Sequence, residues 1–348
     1  MTEGISLQEL QLAARNHGIP LEALRWDLTP IGLHYLLTHY DIPYVDAATW
    51  RLDVGGLVQR PLSLSLDDVR SRPAVEIAVT MECAGNGRVH IEPHVVSQPW
   101  LLEAVGTARW RGVGVAALLE EAGVQGAAVE VLFTGLDRGV EGGEEQAYER
   151  SLPVEEVIAG DAFLAYEVNG VPLPPQHGFP LRLVVPGWYG MTSVKWLSRI
   201  HVQRDPFMGK YQSRWYRTMR EEKIDGETVW NETAVTHMRL KSVVARVAKT
   251  GSDHVITGFV LNDGTPVKSV EVKIDNGPWQ VAPIDYANGK FSWKLFTYTW
   301  KGATPGEHTI VSRVTDADGR VQPTAEELAR KKTFLEDNSQ MARKVMIA

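Results

Sequence analysis

Val75-Glu76-Ile77-Ala78-Val79-Thr80-Met81-Glu82-Cys83-Ala84-Gly85-Asn86-Gly87-Arg88 is the stretch on which the reading of this chain turns. Val75 to Thr80 is a β-branched apolar run of strand type, and it ends in a loop of small residues. Ala84, Gly85 and Gly87 let backbone amides and a ligand approach one another closely. The strand therefore presents Cys83, the only cysteine in 348 residues. One cysteine forms no intramolecular disulfide, so it is either an inert buried hydrophobe or chemically employed. A nearby Arg88 guanidinium favours thiolate over thiol. Two uses of a thiolate stay open on these residues alone: a nucleophile, or a single soft ligand to a metal whose other ligands come from a cofactor. A nucleophile needs a base, and His39, His90, His94 and His177 are the candidates.

Around this stretch the texture changes twice. Up to Pro43 the sequence shows helical patches, Ser6 to Asn16 and Pro30 to Thr38. From Trp50 apolar runs (Trp50 to Val58, Val75 to Thr80, Val129 to Thr134, Leu181 to Val185) alternate with short helical patterns (Leu66 to Ser71, Val115 to Ala122, Val154 to Ile158). The intervals are irregular and rich in Gly and Pro, which predicts a mixed α/β domain rather than a βαβ repeat. The second change falls near Glu221 to Asn231. Beyond it, Val243 to Ala248, Val255 to Leu261, Val270 to Ile274, Phe291 to Thr299 and Thr309 to Thr315 are short β-type runs. Asp263-Gly264, Asn276-Gly277, Asn288-Gly289 and Asp318-Gly319 supply turns, because these pairs tolerate positive φ. That spacing predicts an antiparallel sandwich of immunoglobulin type.

With 44% hydrophobic residues the chain has material for two cores. A formal charge of −7 argues against a polyanion-binding surface, so nucleic acid is not an expected partner. Met1 to Leu28 holds no apolar run of signal-peptide length, and no later run is long enough to span a bilayer. The expectation is a soluble, cytoplasmic protein without membrane insertion, or a periplasmic one if an export signal has been removed.

Cys83-Ala84-Gly85-Asn86-Gly87-Arg88 resembles the molybdenum-binding loop of the sulfite oxidase family. The resemblance continues, in family order, through Thr107 to Trp110, Ala165 to Pro174, His177 to Gly187 and Val194 to Leu197. It is strong over Pro30 to Gln203 and weaker over Trp230 to Pro323. It implies molybdenum held by a pterin dithiolene (molybdopterin), with Cys83 as the only protein ligand. It further implies that His39, Asp137, His177, Arg182, Ser193, Val194 and Lys195 hold the pterin and its phosphate, since a buried phosphate requires cations and amides. Arg88 then orients an oxyanion, and Tyr216, in Arg214-Trp215-Tyr216-Arg217, hydrogen-bonds near the reacting oxygen. The implied reaction is oxygen-atom transfer oxidising sulfite to sulfate. No haem attachment motif occurs, so no haem is expected in this chain, and electrons would pass to a separate acceptor such as a cytochrome.

Three positions depart from the family pattern. Leu37 and Val96 stand where animal and plant relatives carry an arginine and a lysine, and the C-terminal pocket arginine has no clear counterpart, Arg330 or Lys331 being the substitutes in reach. A less basic pocket opens the way to another sulfur oxyanion or oxo-transfer substrate. Three weaker signals are set aside. Pro93 spoils His90 and His94 as a helical zinc pair. Gly112 to Ala117 is a helix start rather than a dinucleotide fingerprint, since what precedes it does not read as a strand opening a βαβ unit. Asp316 to Gly319 is a hairpin turn rather than a calcium loop.

The expected architecture is α+β: a helical extension over 1–28, a mixed α/β molybdopterin-binding catalytic domain of sulfite oxidase type over 29–228, and an immunoglobulin-like β-sandwich over 229–348 that forms a homodimer. The alternatives are the same cofactor run as a reductase of nitrate or an S- or N-oxide, a non-catalytic scaffold that has kept the fold, and, more distantly, a cysteine-nucleophile hydrolase.

Overall fold

A computed structural model describes residues 6, 9, 12–24, 26–141, 143–287 and 289–348. The chain is mostly strand. The longest helix among the described residues, Val115–Ala122, has eight residues, so the N-terminal part is richer in β than a mixed α/β pattern suggests. That helix forms where expected because its apolar residues fall at helical spacing. Val115, Leu118, Leu119 and Ala122 are buried on one face, and Gly123 at φ +73° ends it. Leu66–Arg70 starts from a reciprocal capping box between Ser65 and Asp68.

Two five-stranded sheets frame the N-terminal part. The first runs Leu62–Leu64, Leu52–Gly56, Leu197–Gln203, Glu130–Glu141, Glu144–Pro153, with one parallel pair setting Asp53 opposite Arg199. The second runs Ala74–Glu82, Val105–Gly114, Phe163–Val168, Val171–Pro172, with Arg182–Val184 also paired to Phe163–Val168. Ala74–Glu82 lies antiparallel to Val105–Gly114, Thr80 opposite Thr107, and its far end releases the Cys83 loop.

The C-terminal strands form two four-stranded sheets, Lys241–Thr250, Asp253–Leu261, Lys294–Trp300, Ile284–Asp285 and Gln280–Ala282, Val267–Ile274, Gly306–Asp316, Ala342–Ile347. Val244, Ile256 and Phe296 of one meet Val270, Ile310 and Val314 of the other in a single core. Gly264 and Gly319 turn at φ +101° and +82°. Asn288 lies outside the described residues.

Four readings are corrected or bounded by the fold. The helix over Pro30–Thr38 shrinks to a 3₁₀ turn at Ile31–Leu33. Leu36 instead pairs its backbone with His17, so tertiary pairing overrides local propensity. Much of Ser6–Asn16 lies outside the described residues. The change of texture at Glu221–Asn231 falls within a hairpin, Arg217–Ile224 with Glu227–Ala234, turned at Asp225 and Gly226 with φ +52° and +85°. The division drawn at 228/229 thus passes through a strand. A strand, Val105–Gly114, does precede the Gly112 to Ala117 segment, but its neighbours are antiparallel, so no βαβ unit forms.

The two parts join around Thr80. Its backbone N–H donates to Phe291 O at 2.8 Å, and its Oγ1 accepts from Trp293 N at 2.6 Å. Lys241 Nζ, fully buried, lies 3.1 Å from Glu82 Oε1.

Candidate active site

The Cys83 loop is pinned from several sides. Cys83 N donates to Ala104 O and Asn86 N to Cys83 O, both at 2.9 Å. The Asn86 amide links Glu82 Oε1 to Ala104 N, each at 3.0 Å. Glu336 N donates to Ala84 O at 2.6 Å, tying the loop to the C-terminal tail. A Cβ at Gly85 would overlap the Arg88 guanidinium, so only glycine lets Arg88 fold back over the loop. There Arg88 donates from Nε to Gly85 O at 3.2 Å and from Nη1 to Ser97 Oγ, with its guanidinium 5.1 Å over the Phe334 ring.

Burial pushes the Cys83 thiol up, and Arg88 only partly pulls it back. The expected thiolate preference is therefore overridden by desolvation. Among the described residues no histidine hydrogen-bonds the sulfur, and no cluster of three His, Cys, Asp or Glu could hold a metal. A nucleophile lacks its base. A metal bound here must bring most of its own ligands.

Behind Cys83 is a cavity lined by His34, Tyr35, His39, Asp137, His177, Arg182, Ser193 and Lys195. Arg182 is fixed by Nη1 to His177 O at 3.1 Å, Nη2 to Ser193 O at 3.2 Å, and stacking 4.7 Å over Trp110. Lys195 Nζ donates to Leu37 O at 2.9 Å and Gln176 O at 3.3 Å. Neither cation has a carboxylate within ion-pair distance among the described residues. Desolvation accordingly brings Arg182 down to about 10 and Lys195 to about 7, Lys195 being repelled further by Arg182. Burial also holds His34, His39 and His177 at about 4, 3 and 2. Asp137 goes the other way, burial raising it to about 6, and its Oδ1 has no partner.

A buried Arg182 and a half-buried Lys195 without carboxylate partners, beside an orphaned carboxylate oxygen, are costly unless a ligand completes them. An anion such as phosphate answers the cations. A group with N–H donors, such as a pterin, answers Asp137. The residues present fit a phosphorylated pterin with a metal at Cys83.

The other expected contacts divide. Ser193 lines the cavity, and its Oγ accepts from Val185 N at 3.2 Å. Val194 does not line it. Its side chain is in the core, its N–H goes to Thr192 O at 3.0 Å and its carbonyl accepts from Leu183 N at 2.8 Å, leaving it a structural part.

Arg88 and Tyr216 face a second, outer cleft of about 670 Å³, which shares Leu37 and His39 with the inner cavity. Tyr216 OH lies 3.1 Å from His39 Nε2, and His39 stacks on Tyr148 at 4.9 Å. Arg150, 1% exposed, sits 5.7 Å from the Tyr216 ring. Burial, and secondarily the Cys83 charge, push the Tyr216 phenol well up, so it keeps its proton. Arg330 and Lys331 do not replace a pocket cation. Arg330 is exposed elsewhere and Lys331 Nζ donates to Leu335 O, while Phe334 and Leu335 line the cleft. Exposed Arg15 and Arg138 also line it, and sequence reading missed both. It also missed His34, Tyr148 and Arg150, which no motif marks. His94 pairs with Glu9 at 2.8 Å.

The family described as "Oxidoreductase molybdopterin binding domain" matches residues 39–211. Mitochondrial sulfite oxidase of Homo sapiens is 35% identical over 318 residues, covering 85% of this chain and 57% of that protein. Sulfite oxidase of Gallus gallus is 35% identical over 318 residues, covering 85% of this chain and 68% of that one. Nitrate reductase [NAD(P)H] of Hordeum vulgare is 34% identical over 286 residues, 74% of this chain and 32% of that one. The chain thus spans little more than half the human relative. Sulfane dehydrogenase SoxCD from Paracoccus pantotrophus shares the fold, with a TM-score of 0.80 over 99% of this chain and 91% of that one at 24% identity.

Proposed function

The chain belongs to the sulfite oxidase family of molybdopterin-binding oxidoreductases, and from that premise we propose that it oxidises a sulfur oxyanion, sulfite in the first instance, by oxygen-atom transfer. The observation that carries this reading is the buried Cys83 beside a cavity whose cations Arg182 and Lys195 lack carboxylate partners. When bound, the pterin-held metal supplies a two-electron redox couple and exchange of oxygen with water. Cys83 is its protein ligand. Arg182, Lys195, Ser193 and His177 hold the anionic end of the cofactor, and Asp137 accepts from its N–H groups. His39 is neutral at physiological pH, and with its proton on Nε2 it donates to Tyr216, leaving the phenolic O–H free to donate to a substrate oxygen. Arg88 binds the oxyanion from the loop that carries Cys83.

Electrons leave to a separate one-electron acceptor, and the eight C-terminal strands form an immunoglobulin-like sandwich that pairs two copies of the chain. The hairpin crossing 228/229 supports moving the start of that domain to about residue 235. Similarity to nitrate reductases supports a second reading, the same site run as a reductase. A scaffold without cofactor is disfavoured by the intact Cys83 loop.

Metal analysis of wild type and Cys83→Ser, both from a host that makes the pterin, tests the proposal. Near-stoichiometric molybdenum in wild type, with sulfite turnover lost in Cys83→Ser, is the expected result. Wild type free of molybdenum from a competent host overturns it.

A further inference from the structure

The outer cleft is too large and too apolar for sulfite alone. Its volume, about 670 Å³, lies in the range of clefts that take whole organic molecules. Leu37, Val95, Val96, Val140, Trp215 and Phe334 line it. Val96, Val140 and Trp215 are 54%, 74% and 46% exposed, a grouping of wetted apolar side chains that marks a binding surface. A bare oxyanion gains nothing from such walls.

Charge sets the other requirement. Arg88, 9% exposed, is the buried cation of this cleft, and among the described residues it has no carboxylate within ion-pair distance. Arg15 and Arg138 are exposed, where solvent screens them. One buried guanidinium matches one negative charge.

We propose that the cleft binds an organic sulfinate, R–SO2⁻, with its oxygens on Arg88 and its apolar R group along Leu37, Val96 and Trp215. A sulfinate is sulfite with one oxygen replaced by carbon. It keeps the sulfur lone pair, carries one charge instead of two, and brings the apolar surface the cleft is built to cover. The reaction balances as R–SO2⁻ + H2O → R–SO3⁻ + 2H⁺ + 2e⁻. The sulfur lone pair forms the new S–O bond, water supplies the oxygen and releases two protons to solvent, and two electrons pass singly to a one-electron acceptor. The substrate assignment rests on the oxygen-transfer reading.

Titration calorimetry of the molybdenum-replete protein with sulfate and with methane-, butane- and hexanesulfonate reads the cleft without turnover. Affinity is expected to rise about threefold to fourfold per buried methylene, with hexanesulfonate tighter than sulfate. Arg88→Gln weakens every sulfonate about tenfold or more, and Trp215→Ser flattens the slope. Hexanesulfinate is then expected to exceed sulfite in kcat/KM with ferricyanide as acceptor. Sulfite turnover with no chain-length slope overturns the sulfinate inference and leaves the oxygen-transfer reading standing. A clear slope with neither sulfinate nor sulfite oxidised overturns the oxygen-transfer reading, and the substrate assignment falls with it.

Discussion

Lys241 Nζ lies 3.1 Å from Glu82 Oε1, and both side chains are almost wholly buried, at 1% and 2% exposure. The pair joins the C-terminal strands to the residue immediately before Cys83. Burial raises Glu82, and Lys241 is the leading influence opposing that rise. Lys241→Met strands a buried carboxylate, at a cost on the order of 3–5 kcal/mol, read as a thermal midpoint lower by roughly 6 °C or more. Combining it with Glu82→Gln restores most of the loss. A single variant melting with wild type shows the pair to be uncoupled.

Tyr216→Phe keeps the ring against Arg150 and His39 but removes the hydroxyl that His39 orients. If that hydroxyl donates to the substrate as charge develops, kcat falls about 100-fold to 1000-fold with molybdenum content unchanged. Since the phenol is pushed well above its ordinary value, it contributes no alkaline limb below pH 10 in the wild-type profile. A limb near pH 9 that disappears in Tyr216→Phe contradicts this.

Gly85→Ala drives the Arg88 guanidinium off the loop. The anion loses a charge-assisted contact worth about 1.5–3 kcal/mol, so KM for sulfite rises about tenfold or more while Cys83 still holds the metal. Loss of metal together with affinity shows instead that the substitution collapses the loop.

Cofactor-free protein is least supported by this cavity near neutral pH. Asp137 binds a proton more tightly when folded (about 6 against 3.8), so its contribution falls as pH rises through that window. Lys195 binds a proton less tightly when folded (about 7 against 10.5), so its contribution returns only as pH climbs from about 7 toward 10.5. The melting temperature of cofactor-free wild type, minus that of Asp137→Asn/Lys195→Met, is expected to dip near pH 6–7, and loading the cofactor to fill the dip. A difference flat with pH removes the linkage.

What the sequence alone makes legible follows periodicity and turn chemistry. Val115–Ala122 was legible because four apolar residues sit at helical spacing, and the later strands because Asp-Gly pairs punctuate them. The hairpin Arg217–Ala234 was not, because Arg217, Arg220, Glu221, Glu222 and Lys223 give its strands no apolar alternation. Only Asp225-Gly226 betrayed it. At the site, Cys83 of the inner cavity and Arg88 of the outer cleft share one loop and so share one motif. His34, whose ring meets His177 edge-on at 5.7 Å, and Arg150, beneath Tyr216, gain meaning only from segments the fold brings together.

The bond from Glu336 N to Ala84 O, with Phe334 beneath Arg88, fixes an order of events during biosynthesis. The ribosome makes the Cys83 loop well before the residues that buttress it, Phe334 and Glu336. The nascent portion that carries Cys83 therefore emerges with that loop unsupported. Cofactor insertion into a finished site must wait until Glu336 has been made and docked, and a chain stalled before Glu336 offers the insertion machinery a loop without its buttress.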